Sequence, residues 1–216
     1  MKILVTLTYY HPHWTGLTVI AQHLAEGLAD RGHAVTILAS QHDRDLPRRE
    51  EVNGVEVIRA PSLGRVSRTA IMPSYPATLA RLTAGSEIVH LHTPMPEAAL
   101  VVGQARLLRR PTLVTHQGDV VMPGGAANRV IQQAMDTSLG LAMRLSDGVT
   151  VHAADYARHS SFLAPFAHRI QGIYPPVVLP APRSAAVRSW RHQLGLADRP
   201  LVGFAGRFVE EKGFDF

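Results

Sequence analysis

The chain has 216 residues, 46% of them hydrophobic and 18% charged, which is typical of a globular protein and excludes a largely disordered one. It contains no cysteine, which excludes a disulfide framework, thiolate catalysis and a cysteine–zinc site. Its net charge of +5 comes almost entirely from arginine, because lysine occurs only at positions 2 and 212. Arginine is suited to bidentate binding of phosphate and carboxylate groups.

Strands and helices are predicted to alternate from the start of the chain. Residues 2–8 form a short apolar run, which predicts a buried strand. Apolar residues at helical spacing predict an amphipathic helix over 16–31 that ends at Gly32, and residues 34–39 predict a second strand. A strand, a helix and a strand of this length form a βαβ unit, which implies parallel strands and a right-handed crossover.

The alternation resumes after a turn predicted at Asn53-Gly54. The charged segment before it, 44–51, is expected to be exposed, and 63–76 is expected to be a loop. The remaining predicted strands lie at 55–60, 87–92, 112–115, 148–152 and 169–173. The remaining predicted helices lie at 75–84, 97–108, 129–145 and 153–163. The predicted fold class is therefore α/β, a Rossmann-like doubly wound sheet whose strands are mostly parallel.

A proline-rich segment, 174–183, is predicted to link two domains, because it cannot form a helix. The first domain would comprise residues 1–173. A helix over 184–194 and a strand over 201–205 would begin a second domain, which 33 residues are too few to complete. We therefore expect a truncated second domain over 184–216.

The first chemical motif follows the first strand and contains His11, His13, Thr15 and Gly16. Ligands of open α/β sheets bind at the carboxyl ends of the strands, and a helix amino terminus offers N–H groups and partial positive charge to a phosphate. An ordinary helix start capped by Thr15 is an equal alternative. The motif is not G-x-G-x-x-G, which argues against a nicotinamide or flavin dehydrogenase.

Two further motifs end predicted strands. His90 and His92 are two residues apart and should point to the same face of the sheet. They could line the cleft or form a buried hydrogen-bonded pair, and without a nearby carboxylate they are an incomplete metal site, so no metal is expected. At the end of the next strand, His116 and Asp119 could orient hydroxyl groups or relay a proton, or Asp119 could cap backbone N–H groups of a loop.

The last motif, GFAGRFVEEKG, occupies residues 203–213. Arg207 and Lys212 could converge there on a diphosphate, and a charged surface turn is the alternative. No nucleic-acid-binding motif accompanies the scattered arginines, so no nucleic-acid partner is expected.

Together these motifs resemble the retaining glycosyltransferases of glycosyltransferase family four, which have the GT-B fold. The resemblance covers the whole chain, and its stretches are MKILV at the start, the loop at 14–16, LADRGHAVTILA at 28–39, EEVNGVEVIRAP at 50–61, EIVHLHTP at 87–94, LVTHQGD at 113–119 and GFAGRFVEEKGFD at 203–215. It implies an amino-terminal half that binds the acceptor. The second half would bind a nucleotide sugar, with a UDP- or GDP-sugar as co-substrate and no tightly bound cofactor.

The resemblance also implies site residues. Thr15, Gly16, Arg207 and Lys212 would hold the donor diphosphate. Residues His11, His13 and His92 would line the acceptor side, where the acceptor is a glycan, a lipid or a small molecule. The catalytic candidates are His116, Gln117 and Asp119.

The sequence departs from the family pattern in two motifs. The family usually has two glycines in the first loop, where this chain has Thr15 and Gly16. It often has histidine directly before Gly-Asp, where this chain has Gln117 and places His116 one residue earlier. Strand alternation would point these last two side chains to opposite sides of the sheet.

The resemblance predicts that sugar transfer retains the anomeric configuration, and that the 216 residues alone are nearly inactive. The alternatives are a non-catalytic binding module with a degenerate GT-B fold and a sugar-nucleotide epimerase of that fold. No signal peptide or membrane span is predicted, so a cytoplasmic location is expected. Contact of Arg65, Arg68 and Arg81 with the inner face of a membrane is an option, against the alternative of a solvated basic surface.

Overall fold

The structure, a computed structural model, describes residues 1–66, 69–177, 181, 184–196, 199–203 and 206, without the side chains of residues 66 and 69. The chain divides into two compact units, Met1–Val177 and Val178–Phe216.

The first unit is built on a single eight-stranded sheet. Its strands are β1 (Lys2–Thr6), β2 (Ala34–Gln41), β3 (Arg49–Val52), β4 (Val55–Pro61), β7 (Ile88–Thr93), β8 (Thr112–His116), β9 (Gly148–Val151) and β10 (Ile170–Gly172). Their spatial order is β10-β9-β8-β7-β1-β2-β4-β3, and every neighbouring pair is parallel except β3 with β4. A separate two-stranded hairpin consists of β5 (Gly64–Val66) and β6 (Thr69–Ile71). The predicted fold class, a doubly wound and mostly parallel α/β sheet, is confirmed.

Helices cover both faces of the sheet. They are α1 (Gly16–Ala29), α2 (Tyr75–Gly85), α3 (Ala98–Leu107), α4 (Ala126–Leu145) and α5 (Ala154–His159), with a 3-10 helix at Ala164–Arg169. The chain moves from β1 to β2 in one direction and from β7 through β8 and β9 to β10 in the other. Right-handed crossovers therefore place α1 on one face and the later helices on the opposite face.

Alternating side chains of the central strands pack in two separate cores. In β1, Leu4 packs in the cluster that includes buried residues of α2, α3 and α4, whereas Ile3 and Val5 pack with Ala21 and Ala25 of α1. This alternation follows from the two-residue period of a strand. The sheet is thus buried from both sides, as parallel sheets require.

The structure adds strands that the sequence did not predict. Strand β3 begins inside the charged segment that was expected to be exposed. It pairs with β4 across a turn in which Asn53 and Gly54 have φ of 49° and 75°, as a two-residue hairpin turn with two positive φ values requires. The turn was predicted, but the strand was not, because its charged residues lack the hydrophobic pattern of a strand. The β5–β6 hairpin lies in the segment that was predicted to be a loop.

Other elements also differ from prediction, and the helix predicted over 129–145 begins at Ala126. The helix predicted over 153–163 ends at His159, and the 3-10 helix that follows has a proline in its first positions. In the second unit, α6 (Ser184–Gln193) matches a predicted helix, but Leu201, Val202 and Gly203 are not in a strand. Among the described residues, no helix is long and apolar enough to cross a membrane.

Candidate functional site

The candidate site lies at the carboxyl edge of the sheet, where β1, β7 and β8 end side by side. The loop after β1 leads to the amino terminus of α1, and the residue after β8 is Gln117. Neighbouring strands that end together, and a helix that begins beside them, form the usual ligand-binding crevice of an open α/β sheet.

The amino terminus of α1 is capped by threonine side chains and leaves two backbone N–H groups open among the described residues. The Thr15 side chain accepts a hydrogen bond from the Thr18 N–H, and the Thr18 hydroxyl accepts one from the Thr15 N–H at 2.8 Å, which completes a capping box. The N–H groups of Gly16 and Leu17 have no acceptor among the described residues. A Cβ added at Gly16 would meet no described atom within 4 Å. An anion could therefore approach these two N–H groups directly.

Gln117 joins three elements at this edge. Its Nε2 lies 2.8 Å from His92 Nδ1 on β7 and 3.4 Å from the Leu17 carbonyl on α1, and its backbone N–H donates to the Thr93 carbonyl at 3.0 Å. The side chain is partly exposed. Gln117 thus stands at the crevice beside the start of α1.

His116 lies on the other side of the sheet, as strand alternation predicted. Its ring is completely buried, with Nδ1 2.9 Å from the Thr93 hydroxyl and Nε2 3.0 Å from the Asp119 carboxylate. Burial lowers the pKa of His116, although the hydrogen bond to Asp119 opposes that shift. Both ring nitrogens are therefore occupied within the protein.

Asp119 belongs to the same hydrogen-bonded group. Ser160 donates to its second oxygen at 2.7 Å, and its backbone N–H donates to the Tyr156 hydroxyl at 2.7 Å. Burial acts to raise the pKa of Asp119, but the hydrogen bonds, first of all that from Ser160, outweigh it and lower the pKa. The carboxylate is thus ionised and tied to the segment after α5, in a position that fixes the loop after β8.

His92 is buried beneath the crevice rather than at its rim. Its ring lies 4.4 Å from that of His90, whose Nε2 is 2.7 Å from the Thr115 hydroxyl. Burial lowers the pKa of His92 well below its ordinary value, and His92 Nε2 has no hydrogen-bond partner among the described residues. Both histidines line a cavity of about 560 Å³ between α1 and residues 173–176. His92 therefore reaches the crevice through Gln117.

His11 and His13 lie in the loop between β1 and α1, and a buried arginine holds that loop in place. Arg59, which is 2% exposed, donates to the His11 carbonyl at 2.8 Å and to the Pro47 carbonyl at 2.9 Å, and it forms an ion pair with Glu50. Sequence reasoning did not single out Arg59. The signal that could have found it is a charged residue between the apolar Ile58 and Ala60 in strand β4.

The structure therefore divides the predicted site residues into groups. Thr15, Gly16 and Gln117 meet at the crevice, with His92 behind Gln117. His116 and Asp119 support the loop after β8 from the opposite face. Arg207 and Lys212, the predicted diphosphate ligands, lie outside the described residues. Among the described residues, no group of three or more histidine or acidic side chains is arranged to hold a metal ion.

Comparison with known proteins bears on this arrangement. Residues 15–176 match the family described as Glycosyl transferase 4-like domain. Similar solved structures include HepE from Anabaena in complex with UDP, at 16% identity and a TM-score of 0.63, and sucrose-phosphate synthase from Thermosynechococcus elongatus, at 20% identity and a TM-score of 0.62. They align with 100% and 98% of this chain, which spans 56% and 57% of their lengths. No protein of curated function matches significantly. At these identities the structural likeness shows a shared fold.

Proposed function

We propose, on the premise that the chain belongs to the Glycosyl transferase 4-like domain family, that it is the acceptor-side part of an enzyme that transfers a sugar from a nucleotide-sugar donor to an acceptor hydroxyl. The chain spans little more than half the length of its structural neighbours. The activity of a whole enzyme, its donor and its acceptor are therefore part of the proposal.

The observation that carries the proposal is the pairing of the open amino terminus of α1 with Gln117. Two N–H groups that have no acceptor among the described residues can donate to a phosphate, because Gly16 leaves space before them, and the Gln117 amide oxygen can accept from a sugar hydroxyl beside it. HepE was solved with UDP and, separately, with UDP and glucose. A UDP-sugar is accordingly the first donor to test, followed by a GDP-sugar.

In the proposed reaction the protein stabilises the leaving diphosphate. Negative charge develops on that group as the glycosidic bond to the sugar breaks, and the N–H groups at Gly16 and Leu17 are already oriented toward it, so they act by electrostatic preorganisation. Arg207 and Lys212 are proposed to add two positive charges to the same diphosphate. His116 and Asp119 are proposed to position Gln117 rather than to touch the substrate, because their polar atoms are bound within the protein.

Calorimetry with UDP-glucose and GDP-mannose on the product of the whole gene tests the donor site. Leucine at Gly16 would fill the space before the two N–H groups, so Gly16→Leu should weaken donor binding at least tenfold, which corresponds to about 1.4 kcal/mol. Gly85→Leu is the matched control. Gly85 is likewise a terminal residue of a helix, with no described atom within 4 Å of a new Cβ, but it lies at the other edge of the sheet. The proposal fails if the two variants bind the donor equally well.

Product analysis then separates the enzyme from its alternatives. Retention predicts that the first product seen by proton NMR has the anomeric configuration of the donor. Tight donor binding without transfer to any acceptor would indicate a non-catalytic module, and conversion of the donor without an acceptor would indicate an epimerase. The 216 residues alone are expected to transfer little or no sugar, and turnover equal to that of the whole-gene product would contradict this.

Peripheral membrane contact is a further part of the proposal. Arg65 is exposed, Arg81 lines a surface pocket with Arg48 and Arg49, and Arg68 lies outside the described residues. Co-sedimentation with liposomes of anionic lipid, with and without the Arg65→Gln and Arg68→Gln substitutions, measures this contact. Equal sedimentation of the two proteins would remove it.

A further inference from the structure

We propose that Tyr9, His13, His42 and Arg65 form a subsite for the phosphoryl group of a phosphorylated acceptor. This inference rests on the proposed function, because it names the acceptor class of that enzyme. None of these residues takes part in the donor site at Gly16 and Gln117.

The subsite is a compact group of aromatic and cationic side chains. The Tyr9 ring centroid lies 4.7 Å from that of His13 and 5.7 Å from that of His42, and the two imidazole centroids are 5.3 Å apart. The Arg65 guanidinium carbon lies 5.6 Å from the Tyr9 ring centroid. Four residues from three separate segments of the chain therefore converge on one place.

The Arg65 guanidinium retains unused donors. Its Nη2 donates to the His42 carbonyl at 2.9 Å, which anchors the side chain, and no other hydrogen bond of this group is formed among the described residues. A guanidinium carries five N–H donors, and each neutral imidazole carries one. Together, Arg65 and His13 offer enough donors for the three terminal oxygens of a phosphoryl group, even when the His42 N–H is bound to Ser40.

Neighbouring positively charged groups act on both imidazoles. Burial is the main reason that the pKa of His13 is lowered, and the charge of Arg65 adds to it. For His42, burial again lowers the pKa most, and His13, Arg65 and Arg59 act in the same direction, while a hydrogen bond with Ser40 opposes them. Arg59, one of the charges that lower the pKa of His42, is itself paired with Glu50. An anion would therefore relieve repulsion among these groups.

The subsite is connected to the donor crevice through the backbone. The Thr18 hydroxyl of the α1 capping box donates to the His13 carbonyl at 2.5 Å, and the His11 carbonyl is held by Arg59. The loop that carries Tyr9 and His13 is therefore fixed relative to the amino terminus of α1. An acceptor anchored here by its phosphoryl group would extend toward the sugar of a donor bound at Gly16.

Binding of sugar phosphates to the 216-residue chain tests the inference without any need for catalysis. Glucose 6-phosphate is expected to bind in a saturable manner by calorimetry, and to shift the imidazole NMR signals of His13 and His42, whereas glucose is expected to bind at least tenfold more weakly. Arg65→Gln should weaken glucose 6-phosphate binding at least tenfold. Arg31→Gln is the matched control, because Arg31 is also exposed and donates to one backbone carbonyl, that of Gly27. This variant should bind glucose 6-phosphate as the unsubstituted chain does.

Vesicles that contain phosphatidic acid distinguish a lipid source of the phosphoryl group from a soluble one. Binding of these vesicles that is lost in Arg65→Gln and that shifts the imidazole NMR signals of His13 and His42, with no binding of glucose 6-phosphate, would keep the phosphoryl subsite and assign it to a lipid. The inference is overturned if neither probe binds, or if Arg65→Gln and Arg31→Gln bind alike. Failure of donor binding at Gly16 would refute the proposed function and leave this phosphoryl binding unaffected.

Discussion

Arg59 shows how a single buried charge can fix the geometry of a site that it does not enter. Its side chain has no exposed surface. It donates hydrogen bonds to the Pro47 and His11 carbonyls and forms an ion pair with the Glu50 carboxylate. A buried ion pair contributes little net stability by itself, but removing one partner leaves the other without compensation. The loop before α1 therefore depends on this arginine more than the sequence suggests.

Replacing Arg59 with methionine is expected to lower the free energy of unfolding by about 3 kcal/mol, because Glu50 and two carbonyl groups lose their donor. Urea denaturation followed by circular dichroism measures this. Arg31→Met, at an exposed arginine, should change stability by no more than about 0.5 kcal/mol. If Arg59→Met were as stable as Arg31→Met, the structural role assigned to Arg59 would be wrong.

Because of His90, we expect the protein to lose stability in mild acid. Burial lowers the pKa of His90 to about 4, whereas the unfolded chain has the ordinary value of about 6.5, so between these values the unfolded state binds more protons. The free energy of unfolding should therefore fall as pH decreases through this range, by about 2 kcal/mol from this group between pH 7.5 and 5.

Urea denaturation at the two pH values, with His90→Gln, isolates the effect from that of other groups. The variant should lose less stability on acidification than the unsubstituted chain. His159→Gln is the control, because the His159 side chain is 76% exposed. Equal acid sensitivity of all three proteins would exclude His90 as the cause.

At the scale of elements, α1 is defined by its two ends. Thr15 and Thr18 close its amino terminus, and Gly32 follows its carboxyl terminus with φ of 82°, a conformation that favours glycine. The N–H of Gly32 donates to the Ala29 carbonyl at 2.8 Å, which satisfies a group at the end of the helix. These ends fix the direction from which α1 presents its free N–H groups to the crevice.

Two glycine substitutions, one inside this helix and one just after it, should have opposite effects. Gly32→Ala is expected to destabilise the protein by about 1 kcal/mol, because alanine disfavours a positive φ. Gly27→Ala is expected to stabilise it by about 0.5–1 kcal/mol, because Gly27 lies inside α1 and its new Cβ would approach the nearest atom no closer than 3.5 Å. Thermal denaturation of both variants measures the difference. Shifts of the same sign would contradict this description of α1.

At the scale of the molecule, the first unit contains a complete sheet with a core on each side. Strand β1 contributes to both cores, because its alternate side chains enter different clusters. In α6 of the second unit, all of whose residues are described, no side chain is buried. The three hydrophobic clusters found among the described residues all lie within Met1–Val177.

A variant that ends at Val177 is accordingly expected to keep the far-UV circular dichroism of a folded α/β protein. Its free energy of unfolding should differ by less than about 1 kcal/mol from that of the whole chain, since ordinary surface contacts contribute little. Denaturation of the two proteins under the same conditions provides the comparison. An unfolded variant would show that residues after Val177 are part of the first core.

The amino-acid sequence by itself determined the order and type of most helices and strands and the parallel sheet. These features follow from local periodicity and from the alternation of strands with helices. Strand alternation also separated His116 from Gln117 correctly. Charged edge strands such as β3 were not predicted, because their pairing depends on a neighbour rather than on their own hydrophobic pattern.

Only the tertiary structure decided which predicted site residues meet. It buried His92 and His116, gave Gln117 the position at the start of α1, and brought Tyr9, His13, His42 and Arg65 together from three segments. The physical reason is that burial and side-chain contacts depend on residues distant in the chain, whereas sequence patterns report on near neighbours.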